Sequence, residues 1–286
     1  MANVLHTYIS ELERDRSLLE PSRLRERIDA LDRMETYLTC GLHQHCDAEP
    51  GSEGGIRDKI ETVCARLEAA NHRLCQTIRA EIRSGKGACK LLEWAPAPDD
   101  RVDGEGYDHL DALVSGVLQI DEPAEVAELV AEMVFYQPTP ARHIFDFIDR
   151  VELRERDVLI DLGAGLGHVP LLAAICTDAR CIGVEREAAY VDCARRCAKA
   201  LNLNNATFVQ QDARMADLSA GTVFYLYTPF TGAMLSQMLH LLRREAADRE
   251  IRICTLGPCT PTVAREPWLE VVGTQEVDRP SVFRSV

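Results

Sequence analysis

The spacing of apolar positions divides the chain into two stretches with different rules. Over the first ninety residues, apolar side chains recur at helical spacing. Leu5, Tyr8, Ile9, Leu12 and Leu19 make one stripe, and Pro21-Ser22 ends it. A second stripe follows at Leu24, Ile28, Leu31 and Leu38. Gly41 to Gly55 reads as a loop rich in glycine, histidine and acid. Ile56, Ile60, Val63, Leu67, Leu74, Ile78 and Ile82 then predict a long third helix. Ser84-Gly85-Lys86-Gly87 closes it, where glycine suits a C-cap. Further helices are expected near Pro123–Met133 and Ala141–Arg150, with Phe135–Pro140 between them held extended by its two prolines. From Asp157 onward, short β-rich runs alternate with helix-length segments. The runs are 158–162, 180–185, 206–210, 222–227, 251–256, then WLEVV and SVFR near the end, with helices at 168–177, 187–202 and 231–245.

Near-continuous apolar strands alternating with helices mean a mostly parallel sheet covered on both faces. Ligands bind such sheets at the carboxyl ends of the strands. The expected fold is therefore α/β, a Rossmann-like sheet of seven strands preceded by an all-α region. Ala95-Pro96-Ala97-Pro98-Asp99-Asp100 is a stiff polar segment and places the expected domain boundary, with residues 1–95 helical and 96–286 forming the sheet domain.

Composition narrows the function classes. The chain has 286 residues, 46% of them hydrophobic and 27% charged, which excludes wholesale disorder. Its longest apolar stretch, Val169 to Cys176, is far short of the ~20 residues that cross a bilayer. The opening MANVLHTYISELERDR lacks the basic and apolar regions of a secretory signal. Eleven cysteines without a CxxC pair then point to reduced thiols and a cytoplasmic protein. The net charge of −14 argues against broad nucleic-acid binding. The acid is concentrated in residues 101–150, a solvated face or a means of steering a cationic substrate. Cys40, His43, His45 and Cys46 crowd one loop, whereas structural zinc sites draw on separated ligand pairs, so no metal is expected. Cys193 and Cys197 align with Leu201 on one helix and read as small core residues.

The candidate chemistry lies where the first strand hands over to its helix, in Asp161-Leu162-Gly163-Ala164-Gly165-Leu166-Gly167-His168. Glycines let the chain turn tightly and let a ligand approach the backbone. The dinucleotide fingerprint needs glycine where His168 stands, which disfavours a nicotinamide oxidoreductase. A carboxylate at Asp161 discourages a pyrophosphate and favours a ligand bearing positive charge. Glu185 ends the second strand, where an acid accepts ribose hydroxyls. Asp212 follows the third strand, placed to accept from an adenine amino group. Three acids after three strands describe a pocket for an adenosine that carries a cation.

These motifs, DLGAGLG, GVE, QDA and YTPF in that order, resemble the class I S-adenosylmethionine-dependent methyltransferases over residues 135–286. The resemblance implies that Asp161 with Gly163, Ala164, Gly165 and Gly167 holds the methionine end. Glu185 would hold the ribose and Asp212 with Ala213 the adenine, with Arg186 also at the cofactor. VLIDLGAGLGHVPLLAA and TVFYLYTPF are similar in texture to the non-SET, Dot1-like histone lysine methyltransferases. In that group an extended segment before the first strand covers the cofactor, a role that falls here to Tyr136, Gln137 and Thr139. Tyr227-Thr228 stands where that group has an Asn-Asn pair, and YTPF keeps the Pro and Phe of the motif with which amine methyltransferases grip a planar nitrogen. The implied reaction is methyl transfer to a nitrogen or oxygen nucleophile of a small molecule or peptide. His143, His109 and Tyr227 are the candidate bases, with Tyr227 also at the cofactor. A protein lysine methyltransferase, or a non-catalytic S-adenosylmethionine-binding interaction protein, is the alternative. The N-terminal helices would cap the sheet or form a homodimer.

Overall fold

The computed structural model describes residues 2–40, 52–95, 106–121, 123, 136–273 and 279–286. The chain folds as two compact units, Met1–Ile78 with Asp108–Val117, and Arg79–Tyr107 with Leu118–Val286. This division does not fall at residue 95. A proline-rich composition reports where a chain turns, whereas units are set by which apolar faces pair. Residues 108–117 join the helical unit, with Leu110, Leu113, Val114 and Val117 all buried. Helix was not predicted for that acidic-flanked stretch. Residues 96–100, the expected helix at 124–133, and His43, His45 and Cys46 lie outside the described residues.

The helical elements before the sheet are α1 (Ala2–Arg14), α2 (Leu24–Cys40), α3 (Ser52–Arg83), α4 (Gly87–Leu92) and α5 (His109–Leu118). Helix α3 begins at Ser52, so the expected loop ends four residues early. In the helical unit, Ile9, Leu12, Leu18, Ala30, Met34, Ile60, Val63 and Leu67 make one core. On α2 the buried positions are Leu24, Arg27, Ala30 and Met34, whereas Ile28, Leu31 and Leu38 only flank them. Arg27 is fully buried because backbone carbonyls satisfy it. Its Nη1 donates to Leu18 O at 2.7 Å and Glu20 O at 2.5 Å, and its Nε donates to Asn71 Oδ1 at 2.6 Å.

The other unit holds α4, then α6 (Ala141–Val151), β1 (Val158–Leu162), α7 (His168–Cys176), β2 (Arg180–Glu185), α8 (Ala188–Ala200), β3 (Ala206–Gln210), β4 (Val223–Tyr227), α9 (Gly232–Ala246), β5 (Arg252–Leu256), α10 (Thr260–Val263), β6 (Leu269–Val272) and β7 (Ser281–Ser285). The expected strands and their helices appear within a residue or two of the predicted bounds. The sheet order is β3-β2-β1-β4-β5-β7-β6. Strands β1 to β5 run parallel, and β7 is antiparallel to both β5 and β6. The order reverses between β1 and β4, which places the topological switch point beyond Leu162 and Tyr227. One face carries a core of Ile160, Phe224, Leu226, Met238, Leu242, Ile253 and Phe283. On the other, Phe147 of α6 packs against Tyr225 with ring centroids 5.0 Å apart. Cys193 and Cys197 are buried on α8 as expected of core residues. Among the described residues no helix is long and apolar enough to cross a membrane.

Candidate active site

The site grows from the ends of β1, β2 and β4. Beyond β1 the chain turns back, and the amides of Gly163 and Ala164 both donate to Val184 O, at 2.9 and 3.0 Å. This pins the glycine loop to the end of β2. Gly163 takes φ +87°, and a side chain there would begin 2.4 Å from Pro229 Cβ. The position therefore needs glycine both for its backbone and for the close approach of the Tyr227–Phe230 segment. Gly165, at φ +53°, is crossed by the Tyr136 ring, whose Cε2 would lie 2.0 Å from any Cβ. Gly167 caps the start of α7.

Glu185 is buried at the end of β2 and bound to this loop. Its Oε2 accepts from the Gly165 amide at 2.9 Å and its Oε1 from the Glu187 amide at 2.8 Å. A carboxylate has about four lone-pair sites, so two remain for hydroxyl donors. Asp161, in β1, is 4% exposed. Burial, then the charge of Glu185, raises its carboxyl well above the usual range. Among the described residues no hydrogen bond offsets those two causes. An acid buried without a donor is costly unless something cationic completes it. A glycine cradle, a ribose-type acid and a carboxylate lacking its cation fit a sulfonium nucleoside with a free α-ammonium.

Asp212 is bonded within its own turn. It caps the 3-10 turn Ala213–Met215 by accepting from Arg214 N at 2.9 Å. It also takes Arg214 Nε at 3.0 Å and Nη2 at 2.6 Å, and these bonds hold its carboxyl below the usual range. Both oxygens already have donors. Beside it lies an open cavity of about 600 Å³ lined by Asp212, Arg214, Met215, Gln237, His240 and neighbours, none of them from the glycine loop. Ala213 is half-buried and packs against the sheet core. Arg186 is exposed, close enough for its charge to act on Asp212.

The Tyr136–Pro140 segment has no regular secondary structure and leads into α6 at Pro140. Its members differ: Tyr136 lies on the loop, Gln137 is exposed, and Thr139 is buried. The candidate bases lie on three different elements. Tyr227 ends β4 at the switch point and is partly exposed. The backbone leaves it through Thr228 at φ +40°, held by a bond from Thr228 Oγ1 to Leu256 O and another from Cys259 N to Thr228 Oγ1. His143 is buried on α6 at 3% exposure, one turn before Phe147. His109 belongs to the helical unit, where its near neighbours are Asp108, Arg25, Asp29 and Asp111, and burial lowers its pKa. His168 and Tyr190, which the sequence did not single out as site residues, both touch Tyr136.

Residues 130–219 match the profile of a family described as histone methylation protein DOT1. No curated protein sequence matches the chain. Among solved structures, the chain is similar to an RNA methyltransferase from Salinibacter ruber in complex with S-adenosyl-L-homocysteine. That match has 25% identity and TM-score 0.43, covering 52% of this chain and 92% of that one. It is similar to a precorrin-6y C5,15-methyltransferase from Geobacter metallireducens at 19% identity and TM-score 0.40, covering 54% and 92%. A third is the Pyrococcus abyssi tRNA (uracil-54, C5)-methyltransferase with S-adenosyl-L-homocysteine, at 17% identity and TM-score 0.39, covering 53% and 40%. The sheet unit is a Rossmann-like, mostly parallel sheet of seven strands flanked by helices, and the match to the DOT1 family model lies within it.

Proposed function

We propose that the sheet unit binds S-adenosylmethionine and moves its methyl group to a nitrogen or oxygen nucleophile of a small molecule or peptide. The observation that carries this reading is the buried pair Asp161 and Glu185, one without a hydrogen-bond donor and the other bonded to the Gly165 amide. Asp161 would take the α-ammonium, Glu185 the ribose hydroxyls through its free lone pairs, and Ala213 the adenine face. When bound, the donor supplies an activated methyl group on a sulfonium. What the chain adds is orientation, which supplies roughly 7–11 kcal/mol where the reacting atoms are held about 3 Å apart. Pro229 against Gly163 fixes the Tyr227–Phe230 segment beside the methionine end, so this segment would border the acceptor. Of the candidate bases, Tyr227 ends β4 at the start of that segment.

The match of residues 130–219 to the histone methylation family favours a peptide lysine as the second reading of the acceptor. Two measurements test the proposal. Calorimetry with S-adenosylhomocysteine should show Glu185→Ala weakening binding tenfold or more, about 1.4 kcal/mol. Unchanged affinity in a folded variant removes the ribose contact from the account. Incubation with labelled donor and parallel panels of small amines and lysine peptides should label one panel. Label in neither, from a protein that binds the donor, leaves the non-catalytic reading.

A further inference from the structure

Tyr136 is held by more than its own segment. Its ring lies on Gly165, where a Cβ would come within 2.0 Å of Cε2. Its hydroxyl is 3.2 Å from Nδ1 of His168, the first residue of α7. Its ring also meets the Tyr190 ring of α8 at 4.9 Å and 46°. Gly165 in turn donates to Glu185. One line of contact therefore runs from two helix starts through Tyr136 to the loop glycine and the ribose acid. Burial lowers the His168 pKa to about 4, so its imidazole is neutral near pH 7, and its tautomer sets which of Nδ1 and the Tyr136 hydroxyl donates.

Resting on the donor-site reading above, we propose that His168 and Tyr190 are positioning residues that set Tyr136 as a wall of the donor pocket, and that they act on the donor only through that ring. His168 fixes the ring's outer end through the hydrogen bond it shares with the Tyr136 hydroxyl. Tyr190 fixes its tilt by edge contact, since aromatic pairs prefer inclined geometries at such distances. A phenol ring placed this way excludes water from the Gly165–Glu185 bond, which strengthens it.

The test is a double-mutant cycle in the full chain, reading S-adenosylhomocysteine affinity by calorimetry. His168→Leu should weaken binding about fivefold, the scale of one buried hydrogen bond, and Tyr136→Phe should do the same. The double variant should be no weaker than either single one, because both remove the same bond. Tyr190→Ala should weaken binding, and Tyr190→Phe, which keeps the ring, should restore it to within about twofold. If the His168→Leu loss persists in full in the Tyr136→Phe background, His168 acts by another route and the proposal is overturned. If Tyr190→Phe is as weak as Tyr190→Ala, the ring contact is not what matters. A wild-type protein that binds no S-adenosylhomocysteine overturns the donor-site reading itself, and this inference falls with it.

Discussion

The two ends of β1 treat a buried aspartate in opposite ways. Asp157, just before the strand, is 6% exposed and fully partnered. It accepts from Arg154 N at 2.9 Å, from Thr222 Oγ1 at 3.0 Å and from Arg252 Nη2 at 2.8 Å. Burial alone would raise its carboxyl, but the Arg154 amide, the Thr222 hydroxyl and the Arg252 guanidinium outweigh burial and hold it below the usual range. Asp161, four residues on, is as buried and has no such bond, and its carboxyl rises well above that range. One strand thus carries an acid completed by the fold and an acid that, on the proposed reading, the donor would complete. The two differ in their partners, and burial does not distinguish them.

Breaking the completed end should have the largest effect. Arg252→Ala leaves Asp157 buried without its cation and should cost about 3 kcal/mol of folding stability in urea unfolding. The donor affinity of the folded fraction should stay unchanged. Asp161→Asn should do the reverse, with stability near neutral pH held or improved and donor binding weakened tenfold or more by calorimetry. Equal stability losses in both variants would erase the distinction between the two ends.

The smallest effects lie in the pH dependence, and the signs are opposite. The folded pKa of Asp157 is below its unfolded value, so its contribution is present above the unfolded pKa and lost as pH falls through the folded one. The folded pKa of Asp161 is above its unfolded value, so the empty protein loses stability as pH rises from the ordinary carboxylate range through the raised one. Thermal melts across pH should show Asp157→Asn flattening the acidic limb and Asp161→Asn flattening the limb above it. If Asp161→Asn leaves the whole profile unaltered, folding does not raise the Asp161 pKa.

The chain reading recovered the sheet because each strand is a run of apolar residues bounded by turn signals, and the loop because DLGAGLG allows little else at a strand end. It missed α5 because a ten-residue helix beside so much acid looks like linker. It placed Ile28 inward, where the fold buries Arg27, because periodicity counts apolar residues and cannot see carbonyls converging from Leu18 and Glu20. The Asp212–Arg214 pair spans two positions and was open to inspection, but its geometry depends on the 3-10 turn between them. His168 and Tyr190 stayed silent because their link to Tyr136 is made by the packing of two helix starts on one loop. His109 was drawn in by its neighbours in sequence, and the fold assigns it to the helical unit.

A crystal structure of the protein with S-adenosylhomocysteine tests the central claim most directly. The account predicts both ribose hydroxyls at about 3 Å from Glu185 and the α-ammonium against Asp161, with the methionine chain lying along Gly163 and Gly165. A nucleoside bound elsewhere, or seated there with both carboxylates turned away from it, contradicts the account.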